Sequence, residues 1–204
     1  MDIHNPFCSR PFHFIKISNL KESYDFESDF INPVNAVLND ELFSIKKQSH
    51  LKNGFQTAGN LFSLNIDAVH KIKSSIIAEL EKYRRCFEGD GEGLIAHWPA
   101  KYHLNGWLIN MKTGGKLAPH IHEEGWISGS VYINVPEGLS NGNGSLVLCA
   151  DSGSNELRVS IPESVTIQVV TGNLVLFPSS LMHYTLPFDS KENRVVLAFD
   201  VVPG

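Results

Sequence analysis

Residues 114–136 read GGKLAPHIHEEGWISGSVYINVP: His120 and His122 stand two apart, Glu123 and Glu124 follow, and a strand-like run ends in Val131-Tyr132-Ile133-Asn134. Side chains on an extended strand alternate between faces, so residues i and i+2 point the same way. An H-x-H on a strand therefore aims two imidazoles at one point, the geometry that a metal ion requires. A third imidazole, His183, closes the run GNLVLFPSSLMH, and Arg194 follows in the strand-like NRVVLAFDVV.

Around this stretch, from about residue 94 onward, short β-branched and aromatic runs alternate with Gly, Asn, Pro and Ser. The pattern predicts strands at 106–112, 126–135, 145–150, 156–161, 165–170, 173–177 and 194–202, with turns at Gly114-Gly115, 141–144, 152–153, Pro162 and Gly172. Many short strands at this spacing indicate a sandwich or barrel. Upstream, Phe12–Ile17 reads as one strand that pairs onto a sheet edge. Asn32-Pro33 announces a helix from Val34 to Gln48, and Gly54 and Gly59 a loop. The clearest helix follows, capped by Asn65 or Asp67, with Val69, Ile72, Ile76, Leu80 and Tyr83 at three- and four-residue steps up to the glycines 89, 91 and 93. The expected architecture is thus mostly β with N-terminal helices, an α+β chain forming one domain over residues 1–204. Residues 1–93 form an arm and helical layer, and residues 94–204 a jelly-roll core.

With 204 residues, 42% hydrophobic and 19% charged, the chain is long enough to bury a full core. A formal charge of −5 gives no basic footprint, so nucleic acid is not an expected partner. Cys8, Cys86 and Cys149 are odd in number, scattered and in no C-x-x-C arrangement, which argues against a disulfide framework or zinc finger and for a reducing compartment. MDIHNPFCSRPFHF lacks a basic segment followed by an apolar one, and no apolar run is of membrane-spanning length. The expectation is a soluble cytoplasmic protein without a membrane partner.

Nine histidines occur, and most need no function. His4, His13, His50 and His70 are isolated and read as surface or locally bonded, while His97 and His103 flank a WPAKY segment. An H-x-H alone arises often by chance; His183 adds weight because a jelly roll sets an early and a late strand side by side at its mouth. No cysteine lies near these histidines, so a closed structural zinc site is not expected. Imidazoles on one face leave open positions, as non-haem Fe(II) oxygenases require, although zinc and manganese also accept such ligands. Alternation turns Arg194 inward with Val196 and Ala198. A buried guanidinium is costly unless it meets an anion, and its planar fork suits a carboxylate. The bland alternative is a strand-entrance charge paired with Asp189 or Glu192.

H-x-[D/H], then S-G-x-V-Y-x-N, then G-x-L-V-x-F-P-x-x-x-x-H and an arginine on the next strand resemble the 2-oxoglutarate/Fe(II)-dependent dioxygenases. The nearest likeness is to small bacterial and phage prolyl-hydroxylase-like members, over residues 105–202. The resemblance implies a double-stranded β-helix, Fe(II) as cofactor and 2-oxoglutarate as co-substrate, with hydroxylation of a small-molecule or peptide substrate and release of succinate and CO2. His120 and His183 match the family's histidine ligands. His122 stands where the family has its carboxylate, so the third ligand is His122, Glu123 or Glu124, or water; His122 keeps the i, i+2 spacing. Arg194, eleven positions after His183, matches the arginine that binds the distal carboxylate of 2-oxoglutarate. Tyr132 matches the tyrosine that assists it, and Asn110 a position that reaches the carboxylate near iron.

A metal cupin without 2-oxoglutarate (an isomerase, a three-histidine dioxygenase or a ligand-binding module) is the main rival. Gly114 precedes His120 at the cupin spacing, and Gly172, Pro178 and His183 match much of the second cupin motif. Trp126 and Ile127, however, stand where a cupin has its glutamate, Ser180 replaces an inner glycine, and the cupin reading gives Arg194 and Tyr132 no role. A non-catalytic β-sandwich, its histidines ordinary loop residues, is a third reading. A homodimer is an open alternative.

Overall fold

In the C-terminal run RVVLAFDVVP, Val195, Leu197, Phe199 and Val201 share one hydrophobic cluster, whereas Val196 and Ala198 belong to two others. One strand thus divides two interiors, and the remaining elements pack on one side or the other of it. A computed structural model of the chain describes residues 7–40, 44–139, 142–150 and 163–204. In chain order these form β1 (Lys16–Asn19), α1 (Asn32–Asn39), β2 (Ile45–Lys46), β3 (Leu51–Thr57), α2 (Asp67–Cys86) and the single turn α3 (Gly93–Ala96). Then come β4 (Tyr102–Leu117), β5 (Ile127–Asn134), β6 (Leu146–Cys149), β7 (Ser164–Ile167), β8 (Asn173–Pro178), β9 (Met182–Thr185) and β10 (Arg194–Pro203).

Seven strands form one sheet in the order β1-β8-β5-β10-β4-β3-β2, and β7-β6-β9 form a smaller one. The pairings are antiparallel, and the two sheets make the double-stranded β-helix that the strand pattern and the resemblance implied. Between them lies a cluster of Tyr132, Val175, Phe177 and Val196 from the large sheet and Leu146, Leu148 and Ile167 from the small one. The outer face of the large sheet is covered by α2, whose Val69, Ile72, Ile76, Leu80 and Tyr83 are buried as their spacing predicts. Burying each such aliphatic side chain contributes roughly 1.5–3 kcal/mol. Tyr83 also donates its hydroxyl to the Phe14 carbonyl (2.8 Å), tying the N-terminal arm to this layer.

Several local expectations are corrected. The helix predicted from Val34 to Gln48 is shorter and earlier: a π-type turn, Glu27–Ile31, runs into α1, and Asp40 leaves the helix with φ −82° and ψ 118°. Asn39 and Asp40 favour turn conformations over helix continuation. Ile45 is already in β2, while 41–43 fall outside the described residues. Gly54, expected in a loop, lies inside β3, where a Cβ would stand 2.6 Å from the Asn110 carbonyl oxygen. Pro11 opens a 3-10 turn, Pro11–Phe14, so the first strand begins at Lys16; it pairs with β8 at the sheet edge. Ile66 caps α2 without a side-chain bond, and Asp67 lies in the first turn, where its charge favours the helix dipole. Gly114-Gly115 makes no turn between strands. It is a bulge within β4, marked by φ +70° at Gly114 and a register jump from Lys52↔Lys116 to Gly54↔Met111. The predicted strand 156–161 lies outside the described residues. Three strands of the large sheet precede residue 94, so the N-terminal region supplies sheet as well as helices.

Phe199 shows how tightly the outer layer is fitted. It pairs with Gly129 of β5 and Gly106 of β4, and a Cβ on Gly129 would stand 2.1 Å from its ring. Gly129→Ala is expected to lower stability by about 1–3 kcal/mol through overpacking, measured by denaturant unfolding, and Phe199→Leu in the same chain to recover part of that loss. An unchanged midpoint for Gly129→Ala would contradict this packing.

Candidate active site

His183 lies on β9, opposite Leu148 of β6. It forms an isolated antiparallel bridge with His120: each backbone N–H donates to the other's carbonyl, at 2.9 and 3.1 Å. His122 is outside any strand, in a turn closed by the Gly125 N–H on the His122 carbonyl (3.2 Å). The H-x-H is therefore no strand pair, because its second member is brought in by a side-chain anchor. That anchor is Asp200 of β10, whose Oδ1 is 2.7 Å from His122 Nδ1.

The three rings converge, with centroids 4.3 Å (His120–His183), 4.8 Å (His122–His183) and 5.2 Å (His120–His122) apart. One nitrogen from each lies within 4.8 Å of the others. Each Nδ1 faces an oxygen: Ala118 O for His120 (2.8 Å), Asp200 for His122 (2.7 Å) and Leu181 O for His183 (3.1 Å). An oxygen acceptor places the proton on Nδ1 and leaves the Nε2 lone pair for a ligand. Burial pushes the His183 pKa down to about 3 and lowers that of His120 as well, so both rings are neutral at ordinary pH. Neutral imidazole is the ligating form, and this nitrogen set, without sulfur, suits an open Fe(II) site. Glu123 and Glu124 are exposed and stand outside this cluster.

Arg194 opens β10 and is 1% exposed. Among the described residues its Nε and Nη2 have no hydrogen-bond partner, Nη1 reaches the Met111 sulfur at 3.8 Å, and the guanidinium lies 5.2 Å from the Tyr132 ring centre. Burial lowers the Arg194 pKa and raises that of Tyr132, which is 1% exposed. The alternative pairing with Asp189 or Glu192 is not formed; Asp189 instead accepts from the Thr113 hydroxyl (2.8 Å). A charge held this deep without a counter-ion costs several kcal/mol, and an anion docking there would offset it. Arg194, Tyr132 and the three histidines line one cavity.

Asn110 is a correction. On β4, Trp107, Ile109 and Met111 line the cavity, whereas Asn110 borders a cleft on the opposite face with Asn35, Ile133 and Asn134. It is on the wrong parity to reach a metal. The sequence reading also missed Gln48 and Gln56 at the cavity wall and His50, whose ring stacks on His120 at 5.6 Å and 11°. These sit on or beside β2 and β3, a region that its glycines made look like loop. Trp126 and Ile127, at the cupin glutamate position, belong to the outer layer; Trp126 donates its indole N–H to Leu94 O (3.0 Å).

Residues 105–200 match a family model described as "Putative 2OG-Fe(II) oxygenase". Among solved structures, a Pseudomonas putida prolyl-4-hydroxylase is similar at TM-score 0.63 and 12% identity, covering 97% of this chain and 95% of that one. A Trichoplax adhaerens prolyl hydroxylase, in complex with a hypoxia inducible factor peptide fragment, is similar at TM-score 0.60 and 16% identity over 92% and 83% of the two chains. HygX from Streptomyces hygroscopicus, with nickel and 2-oxoglutarate bound, is similar at TM-score 0.63 and 12% identity over 93% and 82%. No curated protein matches the chain by sequence. Over residues 105–200 the chain is therefore similar to the 2OG-Fe(II) oxygenases, and the solved structures share its fold.

The lowered histidine pKa values carry a sign. An unfolded histidine titrates near 6.5, so below that pH the unfolded chain binds protons that buried His183 and His120 refuse, and stability falls on acidification. Metal-free protein is expected to lose melting temperature as pH drops from about 7 toward 4, and His183→Gln to show a shallower loss. Equal slopes for both proteins would contradict the buried, neutral His183.

Proposed function

We propose that this chain acts as an Fe(II)- and 2-oxoglutarate-dependent oxygenase in which His120, His122 and His183 hold the metal through their Nε2 atoms. Arg194 grips the distal carboxylate of 2-oxoglutarate. The observation that carries this reading is the buried Arg194 fork, with Nε and Nη2 unmet, in the same cavity as three imidazoles whose Nδ1 atoms are already engaged. A bare metal cupin has no use for that guanidinium.

Bound Fe(II) would supply the redox chemistry by which dioxygen oxidises substrate and 2-oxoglutarate together, giving hydroxylated product, succinate and CO2. The chain's own residues do the rest. Arg194 fixes one end of the co-substrate by charge-assisted hydrogen bonds, and Tyr132 packs beside the guanidinium. Ile109, Met111, Leu146, Phe177 and Val196 wall the cavity with apolar groups, which keeps water from the reacting end. A second, more open pocket lined by Gln48, His50, Gln56, Asn105 and Trp107 also reaches His120 and His122, and is the natural substrate entrance. A peptide fragment occupies one of the similar structures and hygromycin B another, and a peptide or small-molecule substrate is inferred for this chain.

Protein supplied with Fe(II), ascorbate and 2-oxoglutarate is expected to release succinate. Arg194→Ala removes charge-assisted bonds worth roughly 1.5–3 kcal/mol each, so the 2-oxoglutarate concentration for half-maximal release should rise about 10- to 100-fold or more. An unchanged 2-oxoglutarate dependence would return the site to the cupin reading.

A further inference from the structure

His122 stands where the resemblance implies a carboxylate ligand, and a carboxylate lies directly behind it. Asp200 is 7% exposed, and its Oδ1 meets both His122 Nδ1 and the Ser128 hydroxyl at 2.7 Å. Ser128 hydrogen-bonds in turn to the Ser179 hydroxyl at 2.9 Å. Among the described residues no lysine or arginine pairs with Asp200; its hydrogen-bond partners are the His122 ring and the Ser128 hydroxyl. A buried carboxylate in such surroundings needs positive charge nearby, and His122 is the group through which a metal would deliver it.

The backbone supports the same arrangement. Ser128 and Asp200 are directly opposed in the β5–β10 pairing. The turn carrying His122 is docked on β10 by the Trp126 N–H on Val201 O (2.7 Å). Gly125 leaves no spare room: a Cβ there would lie 2.5 Å from Ser179 Oγ and 3.4 Å from the Asp200 carboxyl carbon. His122 is thus fixed from β10, β5 and the segment after β8 together, which explains how a residue outside any strand joins the other two rings.

We infer that Asp200 is the positioning residue of this metal centre: it orients His122 and restores, one residue behind the metal, the negative charge that a carboxylate ligand would have carried. Three neutral imidazoles contribute no charge, whereas two imidazoles and a carboxylate contribute one negative; Asp200 makes up that difference through the shared Nδ1 proton. The inference rests on the three histidines being metal ligands, and the experiment separates the two claims.

Metal-free full-length protein is titrated with Co(II) by calorimetry, and the Co(II) form is examined by paramagnetic NMR for shifted, solvent-exchangeable N–H protons. The wild type should bind one Co(II) and show three such protons, one per ligand ring. Asp200→Asn should weaken Co(II) binding about 10- to 100-fold and move or lose one of the three signals while leaving two. In a His122→Ala background, the same Asp200→Asn change should alter affinity by less than about threefold, because its partner is gone. Ser128→Ala, which keeps the carboxylate and is a milder change to the fold, should disturb the same single N–H. Equal losses in both backgrounds, or three unmoved signals in Asp200→Asn and Ser128→Ala, would overturn the role of Asp200. A wild type that binds no Co(II) would overturn the metal site itself.

Discussion

The register of β10 is the constraint on which the site depends. This strand is hydrogen-bonded to β4 on one side and β5 on the other, with Arg194 opposite Met111 and Asp200 opposite Ser128. Its odd-numbered residues, Val195 to Val201, sit in the layer beneath α2, and Arg194, Val196, Ala198 and Asp200 lie on the side of the histidines. A slip of one residue would drive a guanidinium and a carboxylate into that apolar layer. The helix face made by Val69, Ile72, Ile76 and Leu80 thereby decides, without touching the cavity, which way Arg194 and Asp200 point.

The interior of the cavity is arranged differently from both cores. There the fold places groups whose bonding is unfinished: three imidazole nitrogens turned toward one another, and a guanidinium with two idle nitrogens. Each costs stability in the metal-free protein, and the apolar layers on either side offset that cost. Metal and dicarboxylate are the two ligand types that would complete these groups, and their binding would stabilise the folded chain by mass action.

Much of this was legible in the sequence. Period-two alternation in the RVVLAFDVV segment assigns Arg194 to the cavity side, and three- and four-residue steps between Val69 and Tyr83 give α2. The same parity rule, applied to Asp200 and to Asn110, would have brought the first into the site and removed the second. The β2–β3 hairpin was hidden because Gly54 reads as a breaker, whereas it is there to let β3 approach the Asn110 carbonyl. The H-x-H pointed to two residues that do converge with His183, through a geometry the protein does not use. His122 owes its place to a side chain 78 positions away, and no local pattern encodes such a contact.

The account is tested most directly by a crystal structure grown without oxygen in the presence of Mn(II), in place of Fe(II), and 2-oxoglutarate, with anomalous scattering to locate the metal. It predicts one anomalous peak bonded to the Nε2 atoms of His120, His122 and His183, and the far carboxylate of 2-oxoglutarate on Nε and Nη2 of Arg194. A peak held instead by Glu123 or Glu124, or a carboxylate bound anywhere that leaves the Arg194 fork unmet, would contradict it.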